Sequence, residues 1–164
     1  MQRRSKRFPK PISDMSDYLP AFQLICVMGS LREGDTLLMH SAGGGVGIAA
    51  VQLALHIGAK VIGVASQRKH AFLLKLGVDE CIDARSEDLE KRVLEITDGV
   101  GVELALDSEG GKSLKKSFRL LAPTGRLGMF GIASAATGKT RSMTSVLKLL
   151  ASTPWLQFMP VPLI

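Results

Sequence analysis

The chain has 164 residues, 46% of them hydrophobic and 22% charged, which predicts one folded domain and excludes global disorder. Its formal net charge is +6, but five positive residues (Arg3, Arg4, Lys6, Arg7, Lys10) fall in the first ten positions. The remainder is nearly balanced, so charge gives no argument for a nucleic-acid partner.

Residues 1–16 are polar, basic and proline-containing, and are expected to be a solvated, poorly ordered segment. Residues 17–164 are expected to form the folded domain. A basic start with no apolar segment behind it is not a signal peptide, and no apolar run is long enough to span a bilayer. A cytoplasmic location is therefore expected. Cys26 and Cys81 have no paired-ligand spacing, and His40, His56 and His70 are scattered. That excludes a disulfide framework and offers no zinc site. Both cysteines are expected to be buried small hydrophobes.

Asp17 to Met28 predicts a helix from about Pro20, ended by Gly29. Thr36 to Met39 is an apolar run of strand length. A glycine turn follows, Ala42-Gly43-Gly44-Gly45-Val46-Gly47, and then a helical pattern, Ile48 to Ile57. Strand, glycine turn and helix are the context in which such a motif holds a dinucleotide. The small residue Ala42 ends the strand tightly, Gly44 lets the backbone approach a pyrophosphate, and Gly47 lets helix and strand pack closely. The positive end of the new helix then faces the phosphates. The motif is A-x-G-x-x-G, and alone it is equally compatible with a tight turn that holds no ligand.

Gly58 stops that helix, and Lys60 to Ala65 predicts a second strand. Its end lies about 20 residues past the motif, where NAD-binding domains carry an acid for the ribose hydroxyls. This chain carries Ser66, Gln67, Arg68 and Lys69 instead. A hydroxyl and two cations suit a 2′-phosphate through charge-assisted hydrogen bonds, which points to NADP(H). The bland alternative is a solvated helix start.

A helix from about Lys69 to Leu76 stops at Gly77, and Glu80 to Asp83 predicts a short third strand. Ser86 to Thr97 predicts a helix capped by Ser86, with Leu89, Val93 and Ile96 on one face. Val102 to Asp107 is the fourth strand. Asp107 and Ser108 could face a cofactor, or Ser108 could cap the next turn. Lys112 to Leu121 predicts a helix with Leu114, Phe118 and Leu121 inward and Lys115, Lys116 and Arg119 outward. Pro123-Thr124-Gly125 is expected to turn into a fifth strand, Arg126 to Phe130. A loop over Ser134 to Thr140, a helix over Ser142 to Ala151 and an apolar end, Pro154 to Ile164, complete the chain. Gly138-Lys139-Thr140 imitates the end of a P-loop, but Ala133 stands where its first glycine belongs.

Alternating strands and helices predict an α/β fold: a Rossmann-type, doubly wound parallel sheet in three α/β/α layers, lacking its last strand. Its ligand is expected beyond the carboxyl ends of the strands, at the glycine turn, at Ser66 to Lys69 and at Phe130-Gly131-Ile132.

The runs GDTLLMHSAGGGVGIAAVQLA, AKVIGVAS, LGVDECID, ELALDSEGG and LLAPTGRLGMFG, in that order, resemble the medium-chain dehydrogenase/reductase superfamily. The resemblance covers roughly Asp17 to Ile164. It points to the zinc-free quinone oxidoreductase branch, with zeta-crystallin-like and vesicle amine transport protein-like members. It implies an NADPH-dependent oxidoreductase passing hydride to a quinone or another α,β-unsaturated carbonyl, a small-molecule substrate. Carried over by position, Gly43, Gly44, Gly45, Val46 and Gly47 would hold the pyrophosphate. Ser66, Lys69 and Arg68 would hold the 2′-phosphate, and Phe130, Gly131 and Ile132 would run beside the nicotinamide half. Many relatives carry an aromatic or histidine where this chain has Ala84, and Arg85 beside it would compensate in part. Zinc-dependent relatives place a metal ligand shortly before Ala21, and no Cys or His lies between Ser13 and Phe22.

Members of the family are about twice as long. They begin with a GroES-like catalytic domain and continue into a sixth strand that often forms a homodimer edge. The resemblance thus implies a cofactor-binding domain cut on both sides, able to bind cofactor but turning over little. No catalytic acid or base stands out in the residues. Two rivals remain from the sequence: a non-catalytic interaction or regulatory module that keeps the fold, and a methyltransferase, which would want an acid near Ala65.

Overall fold

The computed structural model describes residues 15–130. Five parallel strands form one sheet: β1 (Thr36–His40), β2 (Lys60–Val64), β3 (Glu80–Ile82), β4 (Val102–Asp107) and β5 (Leu121–Met129). Their order across the sheet is β3-β2-β1-β4-β5. The helices are α1 (Met15–Phe22), followed directly by a π-helical segment (Gln23–Met28), α2 (Gly45–Ile57), α3 (Gln67–Leu76), α4 (Leu89–Ile96) and α5 (Lys112–Arg119). This is the doubly wound α/β sheet that the alternating pattern predicts. The chain reverses direction across the sheet between β1 and β4, which opens a crevice at their carboxyl ends.

β1 is central and buried on both faces, as expected of a continuous apolar run in a parallel sheet. Leu37 and Met39 join Ala49, Ala50 and Val51 of α2 and Leu73 of α3 in one core. Leu38 faces the other way, with Ile62, Leu89 and Val93, beneath α4. Fully burying each leucine, isoleucine, valine or methionine among them contributes about 1.5–3 kcal/mol.

Gly58 and Gly77 end α2 and α3 in the left-handed conformation, at φ 95° and 111°. At each end the next residue's N–H bonds back to the last turn, Ala59 to the Ala54 carbonyl and Val78 to Leu73. The carbonyls left open by the helix ends are thereby satisfied.

Several boundaries differ from expectation: α2 starts at Gly45 rather than Ile48, α3 at Gln67 rather than about Lys69, and α5 ends at Arg119, which leaves Leu121 to β5 rather than to the helix. α1 starts at Met15 rather than near Pro20, and Pro20 lies inside it. The proline forfeits one backbone bond, while Asp17 in the first turn complements the helix dipole. α4 starts at Leu89, capped not by Ser86 but by Asp88, whose carboxylate accepts from the N–H groups of Glu90 and Lys91. Ser86 is held in the preceding turn, its hydroxyl donating to the Asp83 carbonyl at 3.3 Å.

β5 starts at Leu121, so Pro123-Thr124-Gly125 lies within the strand. There the pairing jumps from Val102↔Leu121 to Leu104↔Arg126, a bulge that absorbs the proline. A Cβ on Gly125 would stand 2.6 Å from the Val102 carbonyl oxygen, so only glycine fits.

Cys26 and Cys81 are half-buried against the core rather than fully enclosed. Leu114 is buried as expected, whereas Phe118 and Leu121 are half-buried. Among the described residues no helix is long and apolar enough to cross a membrane. The expected loop at residues 134–140, the helix at 142–151 and the apolar end lie outside the described residues.

Candidate functional site

The glycine turn leaves β1 at Ser41, which takes a left-handed φ of 52°. The turn is held by two backbone bonds, Ala42 N–H to the Val64 carbonyl (3.1 Å) and Gly44 N–H to the Ser41 carbonyl (2.8 Å). Gly44 is the N-cap of α2 and brings no side chain to its open N–H groups. Those groups and the helix dipole favour an anion.

The four glycines are not equivalent. A Cβ on Gly47 would stand 2.9 Å from both the carbonyl carbon and the oxygen of Ala42, so Gly47 serves strand–helix packing. A Cβ on Gly44 would meet only the Ser41 carbonyl oxygen, at 3.3 Å, and otherwise open space. Its φ of −90° is open to any residue. What glycine adds at position 44 is close approach from outside, which is what a bound phosphate needs. Gly43 is overlaid by the Lys69 side chain and Gly45 by the Asp17 carboxylate. Val46 is half-buried against the core.

Ser66 caps α3 by position, but its hydroxyl makes no capping bond. Arg68 and Lys69 follow on the exposed first turn. Lys69 reaches back and donates from Nζ to the Gly43 carbonyl at 2.7 Å. The glycine turn and the start of α3 are thus joined. His70 Nε2 lies 2.9 Å from the Ala65 carbonyl oxygen.

Arg85, exposed after β3, is brought to the same end by Asp83. One Asp83 oxygen accepts from Gln67 N–H (3.0 Å) and the other from Arg85 N–H (3.1 Å). The Gln67 N–H bond, then the Arg85 bond and the nearby cations, hold the Asp83 carboxyl below the usual carboxylate range. This acid is therefore committed to backbone donors. Its sequence signal was its place at the end of a strand two residues before Arg85.

At the end of β4 the structure decides what the sequence left open. Asp107 turns into the protein, fully buried. It accepts from the N–H groups of Glu109 (2.8 Å) and Gly110 (2.7 Å), and from the hydroxyls of Ser113 (2.6 Å) and Ser117 (3.1 Å). Ser117 Oγ also lies 3.0 Å from Nε2 of the buried His40, the last residue of β1. Burial pushes His40 down, against the pull of Asp107 and Glu109. Burial pushes Asp107 up, yet Ser113, the Gly110 N–H, His40 and the Glu109 N–H together hold it below the ordinary range.

This group joins β1, β4 and α5 at the crevice. Sequence reasoning missed His40, Ser113 and Ser117, because a histidine closing an apolar strand and serines on a lysine-rich helix carry no local signal. Ser108 faces outward, its Oγ 2.7 Å from that of Ser41. Phe130 sits beside it, half-buried, its N–H on the Asp107 carbonyl at 3.0 Å. Gly131 and Ile132 lie outside the described residues.

Parallel strands in this order, a glycine turn entering α2 and a crevice between β1 and β4 define the dinucleotide-binding class of α/β domain. The chain belongs to the zinc-binding dehydrogenase family, whose model matches residues 45–152, and within it to the nucleotide-binding part of the quinone oxidoreductase-like branch of medium-chain dehydrogenases/reductases. It is 34% identical over 152 residues to the human synaptic vesicle membrane protein VAT-1 homolog, covering 92% of this chain and 37% of that protein.

A quinone oxidoreductase from Pseudomonas syringae pv. Tomato DC3000 superposes with a TM-score of 0.67 at 39% identity, covering 72% of this chain and 37% of that one. A putative enoyl reductase domain of a polyketide synthase gives 0.66 at 30% identity, covering 90% of this chain and 98% of that one. The chain spans 37% of the length of the human relative and as little as 5% of other curated relatives. The family's description mentions zinc. Among the described residues no group of three or more His, Cys, Asp or Glu side chains could hold a metal ion.

Proposed function

We propose that residues 17–164 are the NADP(H)-binding domain of an oxidoreductase that reduces a quinone or another α,β-unsaturated carbonyl. The observation that carries this reading is the junction of Lys69 with Gly43. It brings Lys69 over a glycine turn whose second glycine is open to a ligand, with Ser66 and Arg68 next to Lys69 on the same exposed helix start. Reduced nicotinamide bound there supplies hydride.

This chain's residues bind and orient. The open N–H groups at Gly45, Val46 and Gly47 face the pyrophosphate, with Gly43 and Gly44 giving it room. Ser66, Arg68 and Lys69 take the 2′-phosphate, and Arg85 lies on the adenine side. Phe130 flanks the nicotinamide side, where Gly131 and Ile132 are also assigned. The similarity to a quinone oxidoreductase and an enoyl reductase domain supports the substrate class.

A second reading, an interaction module that keeps the fold, is favoured by Leu19, Phe22, Val27 and Met28, which are exposed together along α1 and the π-helical segment. Titration of the chain with NADPH and with NADH, followed by nicotinamide fluorescence, separates the two. Preference for NADPH is expected, and binding of neither would favour the module.

A further inference from the structure

The Asp17 carboxylate stands against the first turn of α2. A Cβ on Gly45 would lie 2.7 Å from Asp17 Cγ and 2.9 Å from Oδ1, inside van der Waals contact. Gly45 is the first residue of α2, and its cap, Gly44, offers no side chain to the open N–H groups. A negative group is favoured there for the same reason that a phosphate is.

Asp17 is placed by its own helix. α1 packs along α2, and the hydroxyl of Tyr18, the next residue, donates to Gln52 Oε1 on α2. Asp17 belongs to the first turn of α1 and makes no ion pair among the described residues.

We propose that Asp17 is an internal competitor for the pyrophosphate position: its carboxylate complements the start of α2 when no nucleotide is present, and must yield when one binds. The inference rests on the reading of the glycine turn as a pyrophosphate site. Two anions at one helix start repel, so the resident one sets the affinity for the incoming one. The residue is thus affinity-setting for the cofactor, and its removal has opposite effects on the two states. The free protein loses a favourable charge–dipole contact, while the complex loses a repulsion.

The test compares the full chain with Asp17→Asn and Asp17→Ala. Binding is measured by NADPH fluorescence, and by the rise in melting temperature with inorganic pyrophosphate. Both variants are expected to melt below the wild type when free, and to bind both probes about two- to tenfold more tightly. The alanine variant controls for any new bond from the asparagine amide. Unchanged or weaker binding of both probes would overturn the proposal, because a merely structural Asp17 lowers stability and affinity together. If pyrophosphate binding improves while NADPH binds neither protein, the competitor role stands and the NADP(H) reading falls. If NADPH binds variants and wild type equally, the cofactor reading stands and the competitor role falls.

Discussion

Lys69 Nζ lies 2.7 Å from the Gly43 carbonyl oxygen, across 26 residues of sequence. A cation on the first turn of α3 therefore leans over the glycine turn, with its charge available to both. On the proposed reading the lysine has two tasks, to clamp the turn and to face a 2′-phosphate, and they can be separated by cofactor choice.

Lys69→Glu should weaken NADPH by about tenfold or more, since a charge-assisted bond is lost and a repulsion added. NADH, which lacks the 2′-phosphate, should lose only a small common amount from release of Gly43. Dissociation constants for both nucleotides check this. Equal losses would sink the 2′-phosphate assignment.

Gly44→Val and Gly47→Ala should fail in different ways. Gly44 has an extended backbone and open space, so its valine variant should melt near the wild type and lose both nucleotides. Gly47 is pressed against Ala42, so its alanine variant should lose about 1–3 kcal/mol of stability through overpacking. Thermal melts beside nucleotide titrations distinguish them. A Gly44→Val protein that binds normally would place the pyrophosphate elsewhere.

The buried group at the end of β4 predicts an acid-side loss of stability. His40 is lowered by burial, so below about pH 6.5 the unfolded chain takes up a proton that the folded chain refuses. Its contribution is complete above that pH and falls as the pH drops toward the lowered value. Asp107, also lowered, contributes above about pH 3.9 and is lost at still lower pH. Melting temperatures between pH 7.5 and 5 should fall for the wild type and less steeply for His40→Gln. Parallel slopes would show that another group is responsible. Asp107→Ala should cost at least about 2 kcal/mol at neutral pH, because it strands buried donors.

Asp88→Ala should cost about 1 kcal/mol, the usual value of a helix cap. Ser86→Ala should cost less than half of that, its hydroxyl making one exposed bond of 3.3 Å. Denaturant midpoints of the two variants measure the contrast, and equal losses would return the cap to Ser86.

The first four strands and the glycine turn were legible because each rests on a local signal. β4 is expected and found at Val102 to Asp107, and Gly58 and Gly77 mark true helix ends. What was not legible depends on distant pairing. The start of β5 is drawn back to Leu121 by Val102 on the neighbouring strand, a contact invisible from Pro123 outward. The candidate site follows the same rule. Ser66, Arg68 and Lys69 are neighbours in sequence and could be read together. His40 meets Ser117, and Asp17 meets Gly45, only once the sheet and its helices have assembled.

The sheet order also sets when the crevice can exist. Each pair of adjacent parallel strands is joined through a crossover, so no hairpin can form early. β1 finds β2 after a single helix, which closes the glycine turn within one continuous segment. β1 meets β4 across a far longer loop: Ser41 and Ser108, which flank the crevice, are 67 residues apart. Loop closure makes such remote pairing the slower event. A chain emerging from synthesis therefore owns a finished glycine turn before it owns the wall opposite, so any early nucleotide capture on the proposed reading would be one-sided.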